Sequence, residues 1–473
     1  KIWLYEHYVD ACRTSAALGS MNKTASDALL RSFLRKCGIR APMERQDHHT
    51  NHAASVFYSS GFKKCLILTA DGRGDGLCAS VSIGTAAGME RIAATDSHNS
   101  FGHLYGGVTE ALGFGYGDGE GKTEALAAFG KETDFYHKLK KYMHVRGLAL
   151  EGKIFPHQRL FSVPASRMIQ GHRQEDVAYA CQRLLEETFT QLARNAIRQT
   201  GIRNIAVAGG IFLNVKLNQA LLDLPEVDDI YIHPAAGDTG ISTGAAFVSQ
   251  ERDGIQSTRW RHAYLGDEAT DAQIKTALRN SGLAFEKVSD IAGTVGEELL
   301  PKGHIIGWFQ GRMEYGPRAL GNRSVLISPL NPHSPFKVRS TIKKRPAFQP
   351  FCPSMLHEVE HRYVHNPKKV DALFMILTIT AKDRMVEQAP AVVFPPDRSV
   401  RLQTVERETN PRYHALIRAF GKETGTPIVL NTSFNRSGEA IACTPAQAIA
   451  NLTVGKLDYL AIGDYLVKNP EIH

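Results

Sequence analysis

Four short apolar runs in this chain each break off into a turn of glycines with acids or amides. No other feature limits the fold as much. Residues 64–70 (Lys-Cys-Leu-Ile-Leu-Thr-Ala) run into Asp71-Gly72-Arg73-Gly74-Asp75-Gly76. Residues 204–208 end at Gly209-Gly210, and 228–233 end at Pro234-Ala235-Ala236-Gly237-Asp238. Residues 428–430 lead into Asn431-Thr432-Ser433-Phe434-Asn435. Apolar runs of this length bounded by turn residues read as buried strands. Helical patterns lie before and between them, at 21–36, 174–200, 240–250 and 411–424. Strands alternating with helices predict an α/β architecture, which gathers ligands at the carboxyl ends of its strands.

A length of 473 residues predicts two to four domains. The polar composition of 250–262 is that of a linker, so the expected domains are 1–255 and 256–473. The second contains strands at 303–309 and across 350–405. The apolar stretch 372–380 suits a buried strand, and no stretch reaches the roughly 18 apolar residues of a membrane span. A hydrophobic content of 43% with 22% charged residues excludes a disordered tail or a coiled coil. Seven scattered cysteines with no CxxC pair form no disulfide framework, and the expected compartment is the reducing cytoplasm. The chain opens at Lys1 inside a polar, helix-like stretch, so its native beginning is expected to be missing.

Several patterns carry chemistry. In Asp47-His48-His49-Thr50-Asn51-His52, the spacing puts His48 and His52 on one helical face, with Asp47 as the N-cap. The pair reads either as two imidazoles for one metal or as surface histidines at a polar helix start. Asp71 and Asp238 end strands among glycines and could complete a two-His, two-carboxylate set suited to Fe(II), Mn or Zn. Each also reads as an ordinary Asp-Gly turn. Gly209, Gly210 and Asn214 fit a backbone that approaches a nucleotide. Gly121-Lys122-Thr123 is not a P-loop, because Tyr116 stands where its first glycine belongs.

The net charge of +8 is unevenly spread. Residues 311–345 hold eight Lys or Arg (Arg312, Arg318, Arg323, Lys337, Arg339, Lys343, Lys344, Arg345) against one acid, Glu314. Guanidiniums set in the Gly/Pro turns of Tyr315-Gly316-Pro317-Arg318-Ala319-Leu320-Gly321-Asn322-Arg323-Ser324 match phosphate or carboxylate geometry. The alternative is a solvated basic face.

As a set these motifs resemble the ATP-dependent O-carbamoyltransferases of antibiotic biosynthesis and nodulation-factor synthesis (NodU/CmcH type). The resemblance runs through DHHxxHAAS (47–55), ADGxGD (70–75), GGxxLN (209–214), PAAGDxGxxxGAA (234–246), YGPRALGNRS (315–324), QTV (403–405) and NTSFNxxGE (431–439), in order, along nearly the whole chain. It implies an N-terminal actin/sugar-kinase-like (threonylcarbamoyl-transferase-like) domain and a C-terminal α+β YrdC-like domain. It implies iron, Fe(II), or another divalent metal held by His48, His52, Asp71 and Asp238. Gly209, Gly210 and Asn214 would hold an adenylate. Arg318, Lys343, Arg345, Arg401 and Asn431 would surround carbamoyl phosphate and ATP, with Mg as a companion of the nucleotide. Carbamoyl adenylate made in the second domain would pass to the first, which carbamoylates a small-molecule alcohol. A homodimer is compatible with the resemblance, a membrane is not expected, and nucleic acid is disfavoured.

The chain departs from the family pattern in places. An opening βαβ-like segment with a further His is absent, which implies an N-domain short of its first strands. Gln349 stands where the family has Arg, implying one phosphate contact fewer. Glu124-Ala125-Leu126-Ala127-Ala128-Phe129-Gly130 replaces Met-Gly-Leu-Ala-Pro-Tyr-Gly. The competing readings are a tRNA threonylcarbamoyl-type modification protein, a catalytically impaired nucleotide-binding homologue and, more distantly, a sugar-kinase-type kinase.

Overall fold

The protein is described by a computed structural model over residues 23–152, 158–251 and 254–472. Of these described residues, those up to Gln46 belong to one compact unit and those from Asp47 onward to another. In the first, helix α1 (Lys23–Lys36) ends on Arg35 and Lys36, cations favoured by the negative end of the helix dipole.

The second unit begins with α2 (His48–Ser60) and the strands β1 (Cys65–Gly74), β2 (Leu77–Thr85) and β3 (Gly88–Asp96). Then come α3 (Phe101–Ala111), α4 (Glu120–Ala127), the long α5 (Gln174–Thr200), β4 (Asn204–Ala208), α6 (Val215–Leu222), β5 (Asp229–Ile232) and α7 (Ile241–Glu251). The five strands form one sheet in the order β3-β2-β1-β4-β5. The first three meander antiparallel, while β4 and β5 join parallel to β1. Leu66, Ile67, Ile205, Ala206 and Val207 are fully buried, because the parallel strands are covered on both faces.

The expected strand at 64–70 continues as far as Gly74. Its pairing with β2 shifts register between Ala70 and Gly74. Such an irregularity frees a short stretch from the ladder and re-aims its side chains, here those at the Asp71 end.

Residues from Glu286 on build a separate eight-stranded sheet. Its strands are β6 (Glu286–Lys287), β7 (Ile306–Phe309), β8 (Arg323–Ile327), β9 (Cys352–Leu356), β10 (Gln403–Val405), β11 (Ile428–Ser433), β12 (Tyr459–Ile462) and β13 (Tyr465–Lys468). They lie in the order β10-β9-β11-β8-β7-β12-β13-β6. Helix α8 (Pro411–Thr424), capped by Asn410 and with Pro at its first turn, packs on it through Tyr413, Leu416, Ile417 and Phe420.

Two connecting stretches differ from expectation. The polar segment around 254–263 is no free linker. Thr258 N–H and Trp260 N–H donate to the carbonyls of Tyr58 and Ser59, at 2.9 Å each, and Ser257 Oγ to that of Phe57. The unpaired carbonyls of the last turn of α2 find their partners there. The apolar stretch at 372–377 is buried but forms no strand, and pairing begins only at Thr378. Its Phe374 meets Tyr231 of β5 edge-on, and the Ile376 carbonyl accepts from Asn218. Apolar composition fixed its burial, and side-chain partners took the place of a ladder.

Candidate functional site: a four-donor cluster and a guanidinium pocket

The first site lies where α2, β1 and the start of α7 meet. Asp47 caps α2, accepting from Thr50 N–H at 2.8 Å. His49 and all of α2 from Asn51 to Ser60 are buried, His52 among them, while His48 in the first turn stays partly exposed. Gly244 of α7 lies so close that a Cβ there would come within 1.8 Å of the Asn51 carbonyl oxygen. That contact sets the start of α7, and Asp238 just before it, over the first turn of α2.

His48, His52, Asp71 and Asp238 each offer one ligand atom, all within 4.8 Å of one another. His52 Nε2 is 3.1 Å from His48 Nε2 and 3.2 Å from Asp71 Oδ2. Asp238 Oδ1 lies 3.5 Å from His52 and 3.6 Å from His48. Burial opposes a charge on His52, but the Asp238 and Asp71 carboxylates outweigh it and raise its proton affinity. Burial likewise disfavours the Asp71 anion, and the hydrogen bonds of His48 and His52 reverse this, holding its carboxyl well below the usual range. Two ring nitrogens that face each other cannot both keep protons, and two carboxylates face them. The donor chemistry therefore fits a divalent cation such as Fe(II), Mn or Zn.

The surroundings are built tightly around these donors. A Cβ on Gly74 would come within 2.1 Å of the His48 ring, and one on Gly210 within 3.0 Å of Asp71 Oδ1. His49, on the far side of α2, bonds Thr69 of β1 through Nδ1 at 2.8 Å. Burial, with His52 and His48 nearby, lowers its pKa to about 4, so it is a neutral brace at physiological pH.

Gly209 and Gly210 follow β4 directly beside Asp71. Gly209 adopts φ +107°, and a Cβ there would meet the Ala70 carbonyl oxygen at 2.1 Å, so glycine is required. Asn214 caps α6 by accepting from Leu217 N–H at 2.8 Å and exchanges two amide hydrogen bonds with Gln182. Its side chain is thereby engaged within the protein.

The second site lies on the eight-stranded sheet. Arg401 Nε donates to Cys352 Sγ at 3.0 Å, and Cys352 pairs across the ladder with Asn431. Asn431 Nδ2 reaches the Ala319 carbonyl and Ser354 Oγ, which ties the Arg318 turn to β9 and β11, while its Oδ1 is buried without a partner. Lys343, 2% exposed, donates to Ser433 Oγ and to both oxygens of Asn435. Burial and then the neighbouring Arg345 pull its amine down to about 6. Burial and then Arg401 lower Arg345 to about 10 and lower Arg318 as well. Arg318 Nε has no partner. Positive groups forced together and left with open donors suit a polyanionic ligand.

Three of the eight cations of the basic stretch do other work. Arg323 is fully buried, donates to the carbonyls of Gln310 and Asn322 at 2.6 and 3.0 Å, and lies 3.7 Å over the Phe309 ring. It holds the loop and is not placed to meet a ligand. Arg312 donates to the Gly266 and Leu265 carbonyls, and Arg339 to that of Gln349. Sequence reasoning missed Glu314, whose Oε1 accepts from the N–H groups of Leu320, Asn322 and Arg323 at 2.7, 2.8 and 3.1 Å. One carboxylate thus shapes the whole turn that presents Arg318. The signal was available, since Glu314 is the single acid of that stretch.

The two sites touch. Arg318 Nη2 reaches the carbonyl of Leu213, in the turn that starts at Gly210, at 3.5 Å. No helix among the described residues is long and apolar enough to cross a membrane.

Known proteins resemble both halves of the chain. Residues 13–247 match the Carbamoyltransferase N-terminus family and 297–469 the Carbamoyltransferase C-terminus family. The chain is 33% identical over 477 residues to an uncharacterised protein of Methanocaldococcus jannaschii, covering 94% of this chain and 77% of that one. It is 33% identical over 438 residues to Nodulation protein NolO of Bradyrhizobium diazoefficiens, covering 89% and 78%. Nodulation protein NolNO of Sinorhizobium fredii is 33% identical over 432 residues, covering 89% of this chain and 63% of that protein. Among solved structures, T. kodakarensis HypF aligns over 49% of this chain and 39% of its own at 17% identity, with a TM-score of 0.31, too low to establish a shared fold. On its sequence matches at both ends, the chain belongs to the carbamoyltransferase family.

Proposed function

We propose that this carbamoyltransferase forms carbamoyl adenylate in its C-terminal half and transfers the carbamoyl group to the hydroxyl of a small-molecule acceptor, a natural product or sugar, in its N-terminal half. One observation carries the reading. A cation-type donor cluster and a guanidinium pocket lie in one compact unit and adjoin through Arg318 and Leu213. The first step brings two polyanions together, carbamoyl phosphate and ATP. Arg318, Arg345, Arg401, Lys343 and the amide of Asn431 offset their repulsion and hold the reacting groups together. With water, the products are carbamoyl adenylate, phosphate and pyrophosphate.

In the second step the acceptor oxygen attacks the carbamoyl carbon, AMP leaves, and the hydroxyl proton is released. His48, His52, Asp71 and Asp238 would hold Fe(II) or another divalent metal, with Gly209, Gly210 and Asn214 on the adenylate side. Such a metal acts as a Lewis acid and lowers the pKa of a bound hydroxyl. Gly209 and Gly210 let the backbone approach an adenylate, and the turn they form would hold it beside Asp71. The β3-β2-β1-β4-β5 order supports an actin/sugar-kinase-like N-terminal half. The separate mixed sheet supports a YrdC-like C-terminal half, with the division near residue 255.

The test is release of pyrophosphate from ATP. It should require carbamoyl phosphate and be accompanied by carbamoyl adenylate in the mass spectrum. Pyrophosphate release that ignores carbamoyl phosphate would contradict the proposal.

A further inference from the structure

The four donors of the N-terminal cluster are not held equally. The side chains of His52, His48 and Asp71 are 0, 14 and 19% exposed, and they stand on α2 and β1. Asp238 is 70% exposed and stands on a short turn, Asp238–Gly240, between β5 and α7. A carboxylate so placed must give up side-chain and backbone freedom before it can serve a metal. Within the N-terminal half, Gly240 N–H donates to the Gly237 carbonyl at 2.9 Å and Ser242 Oγ to the Thr239 carbonyl at 3.3 Å. A further hold comes from the C-terminal half. Tyr315 Oη lies 3.2 Å from the carbonyl oxygen of Thr239, the residue after Asp238, and 2.7 Å from Thr243 Oγ1 on α7. A carbonyl only accepts, so the tyrosine donates to Thr239 and the Thr243 hydroxyl donates to the tyrosine.

Tyr315 is itself fixed in place. Its N–H donates to the Ala263 carbonyl at 2.6 Å, and its ring centroid lies 5.9 Å from that of His233 and 6.3 Å from that of Trp260. Gly316 follows with φ +108°, and a Cβ there would come within 2.6 Å of the Pro234 carbonyl oxygen. The 315–316 backbone therefore lies directly on the segment that leads to Asp238. We propose that Tyr315 is a positioning residue of the cation site: from the C-terminal half, its hydroxyl fixes the turn that carries Asp238 and so completes the donor set of the N-terminal half. The inference rests on the reading of the four donors as a metal site. Arg318 follows Tyr315 by three positions in the same loop. The loop that presents a guanidinium to the phosphate pocket thus also sets the most exposed donor of the cation site.

The experiment is titration of the full chain with Mn(II), with free Mn(II) read by electron paramagnetic resonance. The proteins are the wild type, Tyr315→Phe, Asp238→Ala and the double variant, with thermal melts as the folding control. Tyr315→Phe keeps the ring between His233 and Trp260 and removes only the hydroxyl. It should weaken Mn(II) binding about tenfold, the lower end for a group that orients a ligand from outside. Asp238→Ala should weaken it further, and adding Tyr315→Phe to Asp238→Ala should change affinity by less than about twofold. A residue that merely supported the fold would cost the same in both backgrounds, so the cancellation is diagnostic. Thr243→Val strips the same hydroxyl of its other partner from the α7 side. It should act in the same direction, and it replaces Tyr315→Phe in the cycle if that variant does not fold. If Asp238→Ala loses affinity and Tyr315→Phe binds as the wild type does, the positioning role is wrong and the donor cluster stands. An equal loss with and without Asp238 overturns it too. If the wild type does not bind Mn(II), or Asp238→Ala binds it equally well, the cluster reading fails and takes this inference with it.

Discussion

The two sites of this protein are electrostatic opposites. In the N-terminal half, two imidazoles and two carboxylates converge and leave a net negative cluster. In the C-terminal half, three guanidiniums and a buried amine converge and leave a net positive one. They are also built differently. The donor cluster stands on the ends of regular elements: one turn of α2, the irregular end of β1 and the start of α7. The pocket is divided between loops, which carry Arg318 and Arg345, and the ends of short elements, which carry Lys343 and Arg401, and it is held in shape by Glu314, Asn431 and the aromatic ring under Arg323. Short donors on rigid elements suit metal coordination, where small displacements weaken binding. Long guanidiniums on a braced loop suit larger anions that arrive and leave. A carbamoyl transfer through an adenylate needs both kinds of site within reach of one another.

The comparison can be broken first at the pocket. Arg318→Ala removes the guanidinium that touches both halves, and carbamoyl-phosphate-dependent pyrophosphate release should fall by about 10²–10³-fold. Steady-state kinetics with a thermal melt to confirm folding would check this, and a loss of less than about threefold would detach the pocket from the chemistry. His52→Ala removes a donor that is fully buried. Its effect on divalent-metal affinity should exceed the about 10–100-fold typical of an outer-sphere partner, as read by metal analysis after chelation and reloading. Gly74→Ala drives a methyl into the His48 ring and tests the rigidity of the cluster without touching a ligand. Metal affinity should drop by about 10-fold while pyrophosphate release is kept. If both fall together, the halves are less separable than the comparison holds.

The smallest effect is a proton count. The Lys343 amine, lowered to about 6 by burial, is mostly neutral at pH 7.5. A phosphate beside it favours the ammonium, so binding should take up as much as one proton, read as the dependence of binding heat on buffer. Lys343→Met should abolish the uptake. The sign for stability is opposite to that of a paired lysine. Between about pH 6 and the ordinary lysine range the unfolded chain binds the extra proton, so this residue makes stability rise with pH there. A wild type whose phosphate binding shows no uptake would place the Lys343 charge elsewhere.

Much of the donor cluster is legible in the amino-acid sequence. Each of its four residues lies at or within about a turn of a boundary, a helix start or a strand end, and boundaries are what glycines and caps mark in a sequence. The strand at 204–208 and the helices at 174–200 and 411–424 are legible for the same reason. The pocket is legible only as a concentration of charge. Which cations face a ligand depends on tertiary neighbours. Arg318 and Arg323 are five apart in one motif, yet one has an open donor and the other is buried under carbonyls. Composition predicts a linker near 255, whereas the backbone there fills the hydrogen bonds that end α2. The stretch at 372–377 shows the converse: hydrophobicity predicts burial well and conformation poorly.

The central claim is that the two opposite sites perform successive steps. The most direct test is to supply ATP, carbamoyl phosphate and Fe(II) to wild type, Arg318→Ala and His52→Ala, and to follow carbamoyl adenylate and AMP by mass spectrometry with and without a panel of sugar and natural-product alcohols. The account predicts adenylate from wild type and from His52→Ala, none from Arg318→Ala, and alcohol-dependent AMP from wild type alone. Adenylate lost equally in both variants, or absent from the wild type, would contradict it.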